Sequence, residues 1–184
     1  MALHLQILWD LLDSKQVPKR PTCTNHSAVL IAILLQSWAL WKDSGPELLP
    51  RHLIQIDTAM SAIQGHIAMQ AWLVEEHMLE YIQAYLSQFG LVCWCPDLCQ
   101  SAYSLYDSVC QIAAIDTFKQ ALISHVFIHL NPNTAYASNM AILIKLYDHF
   151  VFHFMLCQYW REVKSLTVSD RSYSPTHNTS SAFE

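Results

Sequence analysis

The stretch that decides the fold is TAYASNMAILIKLYDHFVFHFMLCQYWREVKSL, residues 134–166. It contains no proline or glycine, so we expect one long helix. When Lys145 is placed at the centre of the solvent face, with about 100° of rotation per residue, His149 falls beside it. Phe152 and Leu156 fall on the same side. The sequence therefore predicts a helix that carries large apolar side chains on its exposed face.

A second predicted helix, over residues 27–42, is apolar nearly all round. A chain of this size buries only about 70% of its unfolded surface, so it can enclose one such helix but hardly two. Surplus apolar surface commonly marks an interaction site. We therefore expect a protein partner or a second copy of the chain to cover it. The predicted anchor residues are Trp38, Trp41, Phe152 and Leu156.

The rest of the chain also has helical spacing, and no segment is a convincing strand. We predict about seven helices, over residues 2–14, 27–42, 52–64, 66–88, 97–115, 116–130 and 134–166. Their unequal lengths and the lack of a repeat favour one compact orthogonal bundle over a solenoid. A short piece of a helical-repeat scaffold is the alternative. The predicted domain covers residues 1–166, and a Ser/Thr-rich tail at 167–184 is predicted to be disordered.

Composition excludes several classes of function. The 184 residues include only three glycines, too few for the phosphate-binding loops of nucleotide-binding folds. Between residues 52 and 118 there are seven acidic residues and no lysine or arginine. That window should repel nucleic acid and disfavour wrongly charged partners. We expect no nucleic-acid binding.

Membrane spans and export are not expected from the sequence. The apolar run at residues 28–35 is shorter than the roughly 20 residues that a span needs. The charge-free stretch at 120–144 is interrupted by the loop sequence Asn131–Thr134. Asp10 and Asp13 are incompatible with a secretory signal. We therefore expect an intracellular protein, cytoplasmic or nuclear, with reduced cysteines. A cytokine-like helical ligand fits the size, but the missing signal argues against it.

Histidine pairs suggest an alternative function. His125 and His129, like His149 and His153, are four residues apart, a spacing that places both rings on one helix face. In an antiparallel hairpin the two pairs would lie about 13 Å apart along the axis, too far to share a metal. Asp116 would instead face the second pair. The alternative is thus a helical metal-binding protein, or a metal-dependent enzyme, that uses His149, His153 and Asp116.

Two further groups of side chains could carry chemistry. Cys93, Cys95, Cys99 and Cys110 lack the usual C-x2-C spacing of a zinc knuckle, so buried, reduced thiols are expected. Glu75 falls on the apolar stripe of the helix predicted over 66–88. A buried carboxylate there could act as a general acid or base, whereas the structural interpretation is an ion pair or a residue at the edge of the stripe.

No arrangement of nucleophile and base can be assigned from the sequence. The first interpretation is therefore a non-enzymatic helical interaction module, or a subunit of a larger assembly, without a cofactor. It would bind a partner through apolar helix faces.

Overall fold

The computed structural model describes residues 1–9, 21, 27, 29, 49–54 and 73–171, with side chains as far as residue 165. These parts are 68% helical, with no strand among them. An all-α fold is confirmed. The four described helices are α1, Ala2–Leu8; α2, Glu76–Gln88; α3, Leu105–Ile123; and α4, which runs without a break through Met140–Asp148, His149–Met155 and Leu156–Arg171. Short 3-10 turns lie at Arg51–Leu53, Ile128–Leu130 and Thr134–Tyr136.

Helix α3 holds the other described helices together. Buried residues occur nearly all round it, as expected for a helix at the centre of a core. One side-chain hydrogen bond joins each neighbouring helix to α3: His4 to Thr117 at 2.9 Å from α1, Tyr85 to Asp116 at 2.8 Å from α2, and Gln111 to Asp148 at 2.9 Å towards α4.

The start of α3 differs from the prediction. Ser104 is its N-cap, because Ser104 Oγ accepts a hydrogen bond from the Asp107 backbone N–H at 3.1 Å. The predicted start at Asp97 is wrong: Asp97 Oδ1 accepts from the Cys99 N–H at 3.0 Å and closes a turn of its own. Asp107 Oδ1 also accepts from the Asp97 N–H at 2.8 Å. The buried Asp107 carboxylate thus joins the loop to the first turn of α3.

The predicted boundary at Asp116 is also wrong, because Asp116 lies in the middle of α3. The helix ends instead at Ile123, and His125 adopts a positive φ of 58°. The Val126 N–H bonds the Ala121 carbonyl and the His125 N–H bonds the Leu122 carbonyl. This is the Schellman pattern of a helix end, with histidine in the left-handed position that glycine usually takes.

Helix α2 begins later than predicted. Residues 73–75 are not helical, and Glu75 is the residue before the first turn. Its side chain is exposed and lies 3.0 Å from His77 Nδ1. The prediction that Glu75 lies on the buried stripe is therefore wrong.

Trp94 lies at the centre of the core, in the loop between α2 and α3. Its ring meets Trp9 edge to face at 5.2 Å and Tyr147 at 6.1 Å. Its Nε1 donates to the Cys110 carbonyl at 2.7 Å. One indole therefore contacts the end of α1, α3 and α4.

Helix α4 starts at Met140, where Asn139 Oδ1 caps the Ile142 N–H at 3.2 Å. The loop predicted at 131–134 is observed at 131–133, with Asn131 at a φ of 46°. The helix start predicted at residue 134 is wrong, because Thr134–Tyr136 forms a separate 3-10 turn before the Asn139 cap. The middle of the helix, His149–Met155, is a π-helix. The helix continues past the predicted end at residue 166 to Arg171. The remainder of the predicted tail lies outside the described residues, as do Trp38 and Trp41.

Candidate interaction surface

The inward face of α4 is a stripe with a four-residue repeat: Leu143, Tyr147, Val151 and Met155 are all buried. In an α-helix, residues four apart drift round the axis by about 40° per step. The wider π turn cancels this drift. The buried stripe therefore keeps its four-residue spacing across the π turn, from Leu143 to Met155.

The opposite side of α4 is a polar ridge. Lys145, His149, His153 and Cys157 are all exposed and repeat every four residues, like the buried stripe. The two histidine rings stack, with centroids 5.1 Å apart and an interplanar angle of 24°. The most outward line of the helix thus carries cationic and imidazole groups.

Between the polar ridge and the buried stripe, α4 carries an aromatic flank formed by Leu146, Phe150 and Phe154. Leu146 is 46% exposed and Phe154 is 53% exposed. Phe150, half-buried between them, stacks on Phe154 at 5.8 Å. In an uninterrupted α-helix Phe150 and Phe154 would follow Leu143 and Tyr147 onto the buried face, because 143, 147, 150 and 154 have regular helical spacing. The π turn is what directs Phe154 outward.

The same turn moves the two predicted anchors on α4. Phe152 and Leu156 are half-buried and pack against the core, and the Phe152 ring meets Tyr147 at 6.2 Å. Both lie next to the buried stripe, on the side of α4 away from Leu146 (the second flank), rather than beside Lys145, and they remain partly exposed. Their role as anchors stays a prediction. Trp160, one turn beyond Leu156, is 47% exposed. The sequence pattern did not single out Phe154 or Trp160.

The predicted metal ligands are only partly brought together. His149 and His153 are adjacent, but Asp116 is engaged elsewhere: it accepts from Tyr85 and lies 4.0 Å from Lys119 Nζ. Within the described part of the chain, no three His, Cys, Asp or Glu side chains form a group that could hold a metal ion. The other pair, His125 and His129, shares no helix face, because α3 ends before it.

Three cysteines in the loop between α2 and α3, together with Cys110 of α3, form no disulfide and lie in mixed environments. Cys95 and Cys110 are buried, Cys93 is half-buried and Cys99 is exposed. Burial raises the pKa of the Cys110 thiol well above its usual range. The pKa of Cys95 is also raised, first by its hydrogen bond with Cys93 and then by burial. Neutral thiols are poor nucleophiles and poor metal ligands, so Cys95 and Cys110 act as core residues.

A cavity between α1, α3 and the turn after α3 was not foreseen. It has a volume of about 170 Å³, and its lining includes His4, Phe118, Phe127 and Leu130. Burial lowers the pKa of His4 to about 3. Thr117 Oγ1 donates its hydrogen to the Ala113 carbonyl at 2.7 Å, so His4 Nε2 is the donor to Thr117. Burial and the positive charge of the nearby N-terminal amine keep the ring neutral, and the bond to Thr117 fixes its orientation.

The segment Met140–Ser165 is long and apolar enough to cross a membrane, judged by length and composition alone. In the most apolar 18-residue stretch of this segment, 22% of the residues are buried inside the protein. The expectation of no membrane span rested on residues 28–35 and 120–144 and did not cover this segment. No family model, curated protein or solved structure matches the chain.

Proposed function

We propose that the chain is a non-enzymatic helical interaction module that binds a partner protein through the aromatic flank and polar ridge of α4. The observation that supports this most directly is the outward placement of Leu146 and Phe154, which are about half exposed on a helix whose inner face is firmly packed. Aromatic side chains that fill a pocket on a partner often contribute a large share of the binding energy. Phe154 is the proposed central anchor.

A protein partner fits this surface better than a lipid bilayer does. Full insertion of α4 would detach Tyr147 and Met155 from the core, although both are almost fully buried. Lying flat on a bilayer, the helix would present its most outward line, and that line is polar. The aromatic flank points sideways, as suits a neighbouring helix that packs alongside α4.

Charge indicates the chemistry of the partner. The ridge carries Lys145 and the two histidines, and Arg161 is exposed further along the helix. The Asp148 carboxylate accepts from Gln111 and is half-buried on the second flank. A partner helix with carboxylates beside its apolar stripe would complement the ridge electrostatically. We therefore propose an acidic amphipathic helix as the partner.

Site-specific photocrosslinking in cells that make the chain tests this proposal. A photoreactive amino acid replaces Phe154 in one variant and Leu105 in the other, since their side chains are equally exposed at 53% and 52%. We expect a protein crosslink from position 154 but not from 105, mapping to an acidic helical segment. That segment, made as a peptide, should bind the purified chain, and both Phe154→Ser and Lys145→Glu should weaken binding about tenfold or more.

Other outcomes of the crosslinking would contradict the proposal. A crosslink to lipid at position 154 would replace it with membrane association. Equal crosslinking at positions 154 and 105 would show that the contacts are not specific to α4. A crosslinked peptide whose affinity is unchanged by Phe154→Ser would rule out the anchor role of that ring.

We also propose that the helices of the whole chain, about seven in number, pack as one orthogonal bundle. It is supported by Val29 and Ile54, which are buried in the same core as α3 although most of the chain around them lies outside the described residues. Protection of amides at 27–42 and 52–64 against hydrogen exchange, with the same global stability as α3, is the expected result. Fast exchange throughout both segments would contradict a single bundle.

A further inference from the structure

We infer that His149 and His153 bind Zn²⁺ or another late first-row divalent cation on the outward ridge of α4. This inference is independent of the proposed partner helix. Both rings are exposed, and within the described residues neither is hydrogen-bonded or ion-paired; each contacts the other by stacking. Their nitrogens are therefore available to a ligand without breaking a contact of the fold.

The separation of the two rings suits one metal ion. Zinc binds imidazole nitrogen at about 2.0–2.1 Å, so the ring centres of two imidazoles on one tetrahedral zinc lie about 5 Å apart. The observed centroid distance is 5.1 Å. Because the side chains are exposed, rotation of the rings about their side-chain bonds can direct one nitrogen of each towards a shared ion without moving the backbone.

The site would be open. The two histidines fill two of the four coordination positions, and water or ligands from a docked protein would fill the others. Lys145, one turn before His149, is the nearest cation on the ridge and lowers the affinity electrostatically. Asp148 Oδ1 accepts from Gln111 on the second flank, so it is not counted as a ligand. Cys157 is one turn beyond His153 and too far from His149 to join both.

The chain provides a control pair with the same sequence spacing. His125 and His129 are also four residues apart, but His125 has a positive φ and the segment Ile128–Leu130 is a 3-10 turn. Their rings therefore do not share a helix face. If spacing and histidine content alone determined zinc binding, both pairs would contribute equally; if helix geometry determines it, only His149 and His153 would.

Zinc titration by calorimetry tests the inference, with all proteins carrying Cys157→Ser to remove the exposed thiol beside the site. We expect H149A/H153A to weaken the tightest Zn²⁺ binding about tenfold or more, and H125A/H129A to leave it within about twofold. The parent protein should also show zinc-dependent shifts of the His149 and His153 ring resonances in NMR spectra. Circular dichroism should show both variants folded, since all four residues are exposed or lie outside the core.

The inference is overturned if H149A/H153A binds zinc within about twofold of the parent protein, or if H125A/H129A weakens binding as much. A parent protein that shows no zinc binding at millimolar concentration would overturn it as well. Failure here would leave the partner-helix proposal intact, because the crosslinking from position 154 does not depend on zinc.

Discussion

The Trp94 indole and the Tyr147 phenol ring meet edge to face in the core, with centroids 6.1 Å apart and planes at 83°. Trp94 has a hydrogen-bond acceptor in the Cys110 carbonyl. The Tyr147 hydroxyl is fully buried and has no hydrogen-bond partner within the part of the chain that the structure describes. Of the two polar groups in this pair, the Trp94 N–H is hydrogen-bonded, whereas the Tyr147 hydroxyl has lost its water without gaining a hydrogen bond from any described residue.

Replacing Tyr147 by phenylalanine should stabilise the protein. The change keeps the ring contacts and removes a buried hydroxyl whose desolvation is not offset by a hydrogen bond. We expect the free energy of unfolding to rise by about 1 kcal/mol, measured by urea unfolding. Tyr106→Phe is the matched control, because the Tyr106 hydroxyl donates to the Cys95 carbonyl at 3.0 Å in the same core. Tyr106→Phe should lower the free energy of unfolding by about 1 kcal/mol. A decrease for Tyr147→Phe as well would contradict a Tyr147 hydroxyl without a hydrogen bond.

The π turn in α4 predicts an order of stability losses along three consecutive residues. Met155 is buried, Leu156 half-buried and Phe154 half exposed. We expect the free energy of unfolding to fall by about 2–3 kcal/mol in Met155→Ala, by about 1–2 kcal/mol in Leu156→Ala and by about 0.5 kcal/mol or less in Phe154→Ala. An uninterrupted α-helix would bury Phe154 and reverse the order of the first and last variants. Urea unfolding followed by far-UV circular dichroism distinguishes the two.

The helical class and the apolar excess of α4 could be predicted from the sequence, but its exact faces could not. A periodicity of 3.6 residues fits 143, 147, 150 and 154, whereas the structure buries 143, 147, 151 and 155. The choice depends on how Tyr147 and its neighbours pack against Trp94, a contact between residues 53 positions apart. The predicted anchors Phe152 and Leu156 were displaced for the same reason, and Phe154 was missed.

Helix boundaries were predicted wrongly where the local sequence is compatible with more than one start or end of a helix. Asp97 and Ser104 both begin patterns typical of an N-cap, but Asp97 closes its own turn and only Ser104 caps a helix. His125 ends α3 although no glycine marks the position. In each case the local sequence allows both outcomes, and tertiary contacts decide between them.

The Ser104 cap gives a direct stability test of the observed start of α3. Ser104→Ala removes the acceptor for the Asp107 N–H and the hydroxyl that donates to the buried Asp107 carboxylate at 2.6 Å. We expect the free energy of unfolding to fall by about 1–2 kcal/mol. Ser108→Ala is the control: its Oγ bonds a carbonyl one turn back, at 2.8 Å within the helix, and its removal should cost about 0.5 kcal/mol or less. Equal losses would argue against the cap.

The buried His4 makes stability depend on pH in a defined window. Burial lowers its pKa to about 3 in the folded chain, whereas an unfolded histidine has a pKa of about 6.5. Between these values the unfolded chain binds the extra proton, so the free energy of unfolding should fall as the pH decreases. This group contributes a slope approaching 1.4 kcal/mol per pH unit. The stabilisation is complete above the unfolded pKa and is lost progressively towards pH 3.

His4→Gln tests this dependence, because the amide nitrogen can still donate to Thr117 Oγ1 but does not titrate. Urea unfolding of both proteins between pH 7 and pH 4 should show a smaller loss of stability on acidification in the variant. The difference between the two curves should open below about pH 6.5 and widen steadily as the pH falls. Parallel curves across this range would mean that His4 titrates alike in the folded and unfolded chain, and would contradict a neutral His4 packed against Phe118 and Phe127.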